Sequence, residues 1–398
     1  MKSKAETNPF VFGQVIRPGF AYCHRPDLEQ TLIEHCRAGR RAVLLGDRRM
    51  GKSSLVINAL AGSDQPLLEI DLRGVGSTHG FCSRISAAIN EQAGPTGFMR
   101  GLKGSFREVK IGPSWPSAKF VPAHLDVASE LLGRLHVASE RRSLIVFFDE
   151  FQDLVENLPL PESKELLGVL RATIQRHHRT AYIFAGSASP SMSDLCTGHD
   201  SPFSQTAAPL SLGPIPRTDM QEFLVRQFRL GNRKLARETA ETIISVAGAS
   251  PHDVQLFAFY VWSRSEPGLI DSEALRTALG DVLAQVRPRA EDVWFSATPA
   301  QRRLLSVLAS MPGGLGQISS HEFLRRADFA RNSSALAAAR PFLAGRNPLL
   351  EKTGSTVRYR ERWVRLWVLR QLTAEGQLKE WPDDYAGNLL EPLLLRLS

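Results

Sequence analysis

No run in the 398 residues is long and apolar enough to span a bilayer, which excludes a helical membrane protein. The first residues, Met1-Lys2-Ser3-Lys4-Ala5-Glu6, lead to no apolar signal core, which points away from secretion and towards a cytoplasmic protein. Cysteine is scarce: Cys23, Cys36, Cys82 and Cys196 lie far apart without metal-ligand spacing. That excludes a disulfide framework and a cysteine-ligated zinc site, and fits reduced thiols. There is no internal repeat and no low-complexity tract. What is present is a globular composition, 43% hydrophobic and 23% charged, on a chain long enough for two or three domains.

The net charge of +8 is unevenly spread. From Arg287 to Leu372 there are 15 Lys+Arg against 6 Asp+Glu, a balance of +9, so the rest of the chain stands at −1. A basic C-terminal third on a near-neutral body suggests an anionic partner for that third, or else a solvated basic face.

The stretch Gly46-Asp47-Arg48-Arg49-Met50-Gly51-Lys52-Ser53 fits G-x-x-x-x-G-K-[ST]. The apolar Arg41–Leu45 before it reads as a buried strand, and Ser54–Leu60 after it reads as a helix. In that setting the loop's backbone N–H groups cradle phosphates, and the helix N-terminus adds its positive end. Gly46, Asp47, Arg48, Arg49, Met50, Gly51, Lys52, Ser53 and Ser54 are therefore the candidate nucleotide-binding residues. Lys52 can reach the β/γ-phosphates, and the Ser53 hydroxyl can hold Mg²⁺.

A second motif, Ser143-Leu144-Ile145-Val146-Phe147-Phe148-Asp149-Glu150, is an apolar run that ends in two acids. A strand apolar on both faces belongs inside a parallel sheet, and open α/β sheets bind ligands at the C-terminal edge of their strands. Asp149 is placed to hold the metal, and Glu150 to deprotonate the water that attacks the γ-phosphate. A further apolar strand, Ala181–Ser187, ends in Ser187, which either touches the γ-phosphate or simply closes the strand in a turn.

The remaining pattern organises the chain. A helix starts near Arg25 and runs to about Ala38; Arg25 and Glu29, one turn apart, either clamp it onto the nucleotide domain or form a surface pair. Strands are expected at 66–72 and 209–214, and helices at 78–92, 122–140 and 162–177. Residues 93–121, rich in Gly, Pro, Lys and Ser, read as an inserted hairpin or loop with a strand-like piece at Phe106–Ile111. Pro214 and Pro216 mark a boundary, after which Thr218 to Val286 is nearly all helical, with Pro251 in the first turn of one helix. Thr298 caps the next helix; then come a glycine-rich loop around Gly313, Gly314 and Gly316, and two helices. Strands at 349–360 turn around Gly354-Ser355. Helices followed by a basic hairpin describe a winged helix-turn-helix.

Taken in order, several pieces resemble the archaeal-type ATPases, a P-loop family related to the AAA+ and STAND ATPases. They are Asn8-Pro9-Phe10-Val11-Phe12-Gly13, Phe20, Arg25, Glu29, Gly46 to Ser53, Phe148-Asp149-Glu150-Phe151-Gln152, Ala185-Gly186-Ser187, Tyr359-Arg360 and Trp363-Val364-Arg365-Leu366-Trp367. The resemblance covers about residues 8–372. It implies an α/β P-loop NTPase domain (an AAA+-like parallel sheet with flanking helices, 1–215), an all-α lid (216–290), a winged helix-turn-helix domain (291–372) and a C-terminal tail (373–398). ATP and Mg²⁺ are the implied cofactors. The absence of an Asn-Lys-x-Asp signature favours adenine over guanine. Two departures stand out. AAA+ relatives carry an arginine finger after the position of Ser187, but no Arg or Lys lies between Ser187 and Leu212; Arg48, Arg49, Arg171 and Arg179 are the alternative sources of positive charge. STAND relatives carry Gly-x-Pro at the lid turn, where this chain has Ala249-Ser250-Pro251, which leaves Pro251 as a nucleotide contact on the proline alone.

Three functions remain open on the sequence. One is a Mg-dependent ATPase switch with Glu150 and Lys52 as catalytic groups. Another is an ATP-regulated DNA-binding protein that uses Arg325, Arg326, Arg331, Arg358 and Arg360. The third is a protein-interaction module with little hydrolysis. Oligomerisation is compatible with each.

Overall fold

The structure is a computed structural model that describes residues 7–92, 121–187, 191–192, 195, 207–311, 315–344 and 348–378. The inserted hairpin expected at 93–121 falls outside these residues apart from its last position, as does most of the tail at 373–398. The chain divides into two compact units, one of residues 15–214 and one of residues 7–14 with 215–378.

The first unit is a three-layer α/β fold. Its elements are α1 (Pro26–Arg37), β1 (Arg41–Gly46), α2 (Lys52–Ala59), β2 (Leu67–Asp71), α3 (Thr78–Gln92), α4 (Val121–Arg141), β3 (Leu144–Asp149), α5 (Asp153–Glu156), α6 (Leu160–Ile174), β4 (Thr180–Gly186) and β5 (Ala207–Leu212). All strand pairs are parallel, in the order β2-β3-β4-β1-β5. Because side chains alternate across a sheet, Ile145, Phe147, Ala181, Ile183 and Ala185 pack on α1 and α2, while Leu144, Val146, Phe148, Tyr182 and Phe184 pack on α3, α4 and α6. Both faces are buried, which is why these strands read as continuous apolar runs. Pro209 sits in β5, an edge strand, where a missing N–H is tolerated.

The order has a direct consequence. β4 lies between β1, which carries the phosphate loop, and β3, which carries the acids. With about 4.8 Å between neighbouring strands, the ends of β1 and β3 lie about 10 Å apart on either side of β4. Ser187 follows the strand between them.

The second unit holds α7 (Arg217–Arg229), β6 (Arg233–Lys234), α8 (Arg237–Ala247), α9 (Pro251–Arg264), β7 (Gly268–Leu269), α10 (Ser272–Ser296), α11 (Pro299–Ser310), β8 (Leu315–Gln317), α12 (His321–Arg326), α13 (Asn332–Leu343), β9 (Leu350–Thr353), β10 (Thr356–Tyr359) and α14 (Arg362–Ala374). The C-terminal part runs α11-β8-α12-α13-β9-β10, with β8, β10 and β9 paired antiparallel in that order. Thr298 forms a full capping box with Gln301 at the start of α11. Three features depart from the sequence expectations. Part of the glycine-rich loop, Leu315–Gln317, is a strand, held by pairing with β10 that has no local signature. The short parallel pair β6-β7 was not foreseen. And α10 runs unbroken through Pro288 and across the expected boundary at 290/291.

Two further contacts tie that unit together. Arg362 donates to the carbonyls of Val246 (2.5 Å) and Ser245 (2.6 Å) at the end of α8, and the Trp363 indole donates to Asp253 Oδ1 at 3.1 Å. Residues 8–12, expected with the nucleotide domain, pack here instead. Asn8 donates to the Phe259 carbonyl at 2.9 Å, and Phe10 is buried among the rings of Phe223, Phe228 and Trp262. Tyr359 is core: its hydroxyl donates to the Leu305 carbonyl at 3.0 Å.

In the first unit, His177 is buried, stacked on His136 with ring centroids 4.3 Å apart, and shares a 2.6 Å hydrogen bond with the Tyr182 hydroxyl. Burial first, and the neighbouring His136 and Arg41 next, push its pKa down to about 3. A neutral histidine in the fold and an ordinary one in the unfolded chain, near 6.5, fix the sign. The unfolded chain binds the proton first, so stability is full above about pH 7 and falls as pH drops from about 6.5 towards 3. Thermal melting should show a loss on the order of 1 kcal/mol between pH 7.5 and pH 5, and His177→Gln should flatten that dependence while lowering stability at pH 7.5.

Candidate nucleotide site

The site is built where β1, β4 and β3 end at one edge of the sheet. β1 closes on Gly46, where a Cβ would meet the Leu212 Cβ and carbonyl of β5 at 2.9 Å, so only glycine lets the loop leave there. At the other end of the loop, Gly51 has φ 88° and stands immediately before α2; an L side chain would be strained there. Between them Arg49 also has φ 66°. The turn places Lys52 at the first position of α2, with its side chain buried.

The Lys52 ammonium donates to the carbonyls of Gly46 (2.8 Å) and Asp47 (3.2 Å) within its own loop. Burial pulls its pKa below the ordinary lysine value, and the charges of Glu150, Asp149 and Asp47 act against that. Ser53 Oγ donates to Asp149 Oδ2, and the Glu150 N–H donates to Asp149 Oδ1 at 3.0 Å. Burial raises the Asp149 carboxyl above the ordinary aspartate value, with the Ser53 hydrogen bond opposing it. Lysine, hydroxyl and both carboxylates thus converge on one spot, with Glu150 the leading charge felt by Lys52.

Ser53 and Asp149 fit the divalent cation that the motif implies. Both offer hard oxygen ligands, they already touch each other, and Asp149 carries a buried carboxylate that a cation would neutralise. Among the described residues no group of three or more His, Cys, Asp or Glu side chains forms a metal cage. Mg²⁺ is ordinarily held by one or two carboxylates together with phosphate and water.

The other expected residues fall as follows. Asp47 and Arg49 are exposed on the loop, and Arg48 and Met50 are half-buried. The Ser54 hydroxyl turns away and accepts the Ile16 N–H at 3.0 Å. The Ser187 N–H donates to Gln152 Oε1 at 3.3 Å, and its hydroxyl is buried without a hydrogen-bond partner among the described residues. Pro251 belongs to the other unit, where it opens α9 behind Ser250, whose side chain caps the helix at Asp253. Arg179 and Arg171 lie at the wrong edge. Arg179 immediately precedes β4, a strand of seven residues that ends beside Ser187, and its guanidinium donates to the Glu140 carbonyl at 3.0 Å. Arg171 lies in the last turn of α6, whose final residue, Ile174, accepts from Arg41 at the start of β1.

Two residues matter more than the sequence alone conveyed. Arg25 does not simply pair with Glu29. Glu29 accepts the Arg25 backbone N–H at 2.7 Å, which frees the buried guanidinium to donate to the Gly213 carbonyl (2.6 Å) and to the Met50 carbonyl of the phosphate loop (3.0 Å). Gln152, buried at 2% exposure, joins the Glu150 side chain to Ser187. Its place two residues after the acid pair was the only available signal. Arg25→Ala would strand the Met50 and Gly213 carbonyls; a stability loss of about 1–3 kcal/mol by denaturant unfolding is expected, together with weaker nucleotide binding by titration.

No protein-family model matches the chain, and no curated protein matches it by sequence. Solved structures do. The Walker-type ATPase of Pyrococcus abyssi superposes with a TM-score of 0.60 at 18% identity, over 89% of this chain and 99% of that one. The ORC2 protein of Aeropyrum pernix gives 0.49 at 14% identity, over 89% of this chain and 94% of its own. The RuvB branch migration motor of Thermotoga maritima gives 0.46 at 11%, over 88% and 97%. What the first likeness shows is the fold: this chain carries the architecture of an archaeal Walker-type P-loop ATPase, an AAA+-like parallel sheet with flanking helices.

Proposed function

We propose that this protein binds ATP with Mg²⁺ and hydrolyses it as a nucleotide-driven switch whose C-terminal winged helix engages a partner. The observation that carries the reading is the convergence of Lys52, Ser53, Asp149, Glu150 and Ser187 on one sheet edge. The likeness to a Walker-type ATPase supports it at the level of fold.

In this reading the loop N–H groups and the Lys52 ammonium bind the phosphates, with Lys52 exchanging its two backbone carbonyls for phosphate oxygens. Ser53 and Asp149 hold Mg²⁺, which when bound neutralises charge on the phosphates. Glu150 takes a proton from the attacking water, and the Ser187 hydroxyl donates to the terminal phosphate. Glu150→Gln is expected to lower ATP turnover by about 10²–10⁴-fold while leaving binding of a non-cleavable analogue intact. Lys52→Ala is expected to abolish analogue binding. Equal turnover by wild type and Glu150→Gln would remove the assigned base.

A second reading, ATP-regulated DNA binding, is favoured by the +9 balance of Arg287–Leu372 and by the winged helix-turn-helix order of elements. Several of the candidate cations are already paired: Arg326 with Glu322 at 3.0 Å, and Arg358 with Glu351. Arg325, Arg331 and Arg360 then carry the prediction. Each phosphate neutralised should add about 0.9 to the log–log salt slope for duplex DNA. Arg331→Glu and Arg360→Glu should flatten that slope without changing ATP affinity; binding with no salt dependence would leave a protein partner as the occupant. Cys23, Cys36 and Cys82 are buried thiols outside any disulfide; a reducing, cytoplasmic location is part of the same proposal. Among the described residues no helix is long and apolar enough to cross a membrane.

A further inference from the structure

Gln152 sits where the acid pair meets the end of β4, and both ends of its carboxamide are engaged. Nε2 donates to Glu150 Oε2 at 2.6 Å, and Oε1 accepts the Ser187 N–H at 3.3 Å. This network sets the orientation of the amide, because the opposite flip would place oxygen against carboxylate and N–H against N–H. The side chain is 2% exposed. Its oxygen also lies 2.6 Å from where a Cβ on Gly186 would stand, so a side chain there would push against the carboxamide.

Two more observations mark the spot. Glu150 has φ 53°, a left-handed backbone in a residue that disfavours it, and such strain persists where the surroundings over-determine it. The Ser187 hydroxyl is buried and has no hydrogen-bond partner among the described residues, although its N–H is spoken for. A buried donor without an acceptor is unfavourable, so this hydroxyl lacks a group that the site is built to receive.

We propose that Gln152 is a positioning residue that couples the terminal phosphate of bound ATP, sensed at Ser187, to the orientation of Glu150. The inference rests on the reading of the chain as an ATPase with Glu150 as base. A phosphate oxygen that accepts the Ser187 hydroxyl fixes the end of β4; the Ser187 N–H then fixes the Gln152 oxygen, and the Gln152 nitrogen fixes Glu150 Oε2, which leaves Oε1 to meet the water. A nucleoside diphosphate has no terminal phosphate to reach Ser187, so the chain of bonds stays incomplete. No covalent bond changes in this relay beyond the proton transfer from water to Glu150.

The test uses the full chain, with single-turnover and steady-state ATP hydrolysis and titration with a non-cleavable ATP analogue. Gln152→Met keeps the volume and loses the hydrogen bonds to Glu150 and Ser187, together with a longer one to Asp153 at 3.4 Å. It should lower kcat by about 10- to 100-fold, with KM and analogue Kd changed less than about threefold. Because Gln152 acts through Glu150, the double variant Glu150→Gln with Gln152→Met should be no slower than Glu150→Gln alone. Should Gln152→Met fail to fold by thermal melting, Gln152→Glu serves: it keeps an acceptor for Ser187 but sets a carboxylate against Glu150, and the same loss of kcat is expected. Wild-type kcat in the Gln152 variant, or additive losses in the double variant, would overturn the proposal alone, provided Glu150→Gln shows its own expected loss of turnover. A wild-type protein without turnover would overturn both this proposal and the ATPase reading.

Discussion

The site depends on holding the Lys52 ammonium and the Asp149 carboxyl largely away from water at one edge of a parallel sheet. An ion taken from water needs a partner, and here the available partners are weak substitutes. Lys52 turns back onto two carbonyls of its own loop, and Asp149 onto the Ser53 hydroxyl and the Glu150 N–H. Dipoles satisfy hydrogen-bonding capacity but do not neutralise the charges. A triphosphate with a divalent cation would neutralise both signs together. The rest of the first unit serves that arrangement: strands of one direction bring three chain segments to the same edge, and β4 between β1 and β3 leaves a gap about two strand spacings wide.

The backbone around this edge is held in uncommon conformations by side chains some distance away in sequence. Arg49, Gly51 and Glu150 all have positive φ, but only Gly51 announces it by residue type. Arg25 holds the loop at the Met50 carbonyl, and Gln152 holds the acid. Each is a polar group with little exposure and a full set of partners, and each places a neighbour rather than reaching out to solvent. The second unit shows the same economy. Arg362 binds the end of α8 and Trp363 binds Asp253, so the last helix is fastened to helices formed more than a hundred residues earlier.

Much was legible without coordinates, for identifiable reasons. The five strands of the sheet are apolar on both faces or bounded by turn residues, and their lengths came within a few residues. Ser53 and Asp149, each named from its own motif, share a hydrogen bond. The hairpin β9-β10 was visible because Gly354, at φ 61°, marks its turn. What escaped was long-range. Leu315–Gln317 becomes a strand only because β10 is there to pair with it. Phe10 finds its ring cluster on helices beyond residue 220. Arg179 read as a possible charge donor until the strand direction placed it at the far edge.

The amino-acid sequence by itself determined the local chemistry: a glycine-bounded loop followed by lysine and serine, an apolar strand ending in two acids, and the alternation and capping that set each element. These depend on neighbours a few residues apart, and so are written in consecutive letters. Only the tertiary structure decided which groups share a space. It turned Arg25 onto the Met50 carbonyl, put Gln152 between Glu150 and Ser187, and ran α10 across the boundary expected at 290/291. Those outcomes depend on strand order and on close packing between segments 25 to 188 residues apart, where a single chain carries no periodic signal to read.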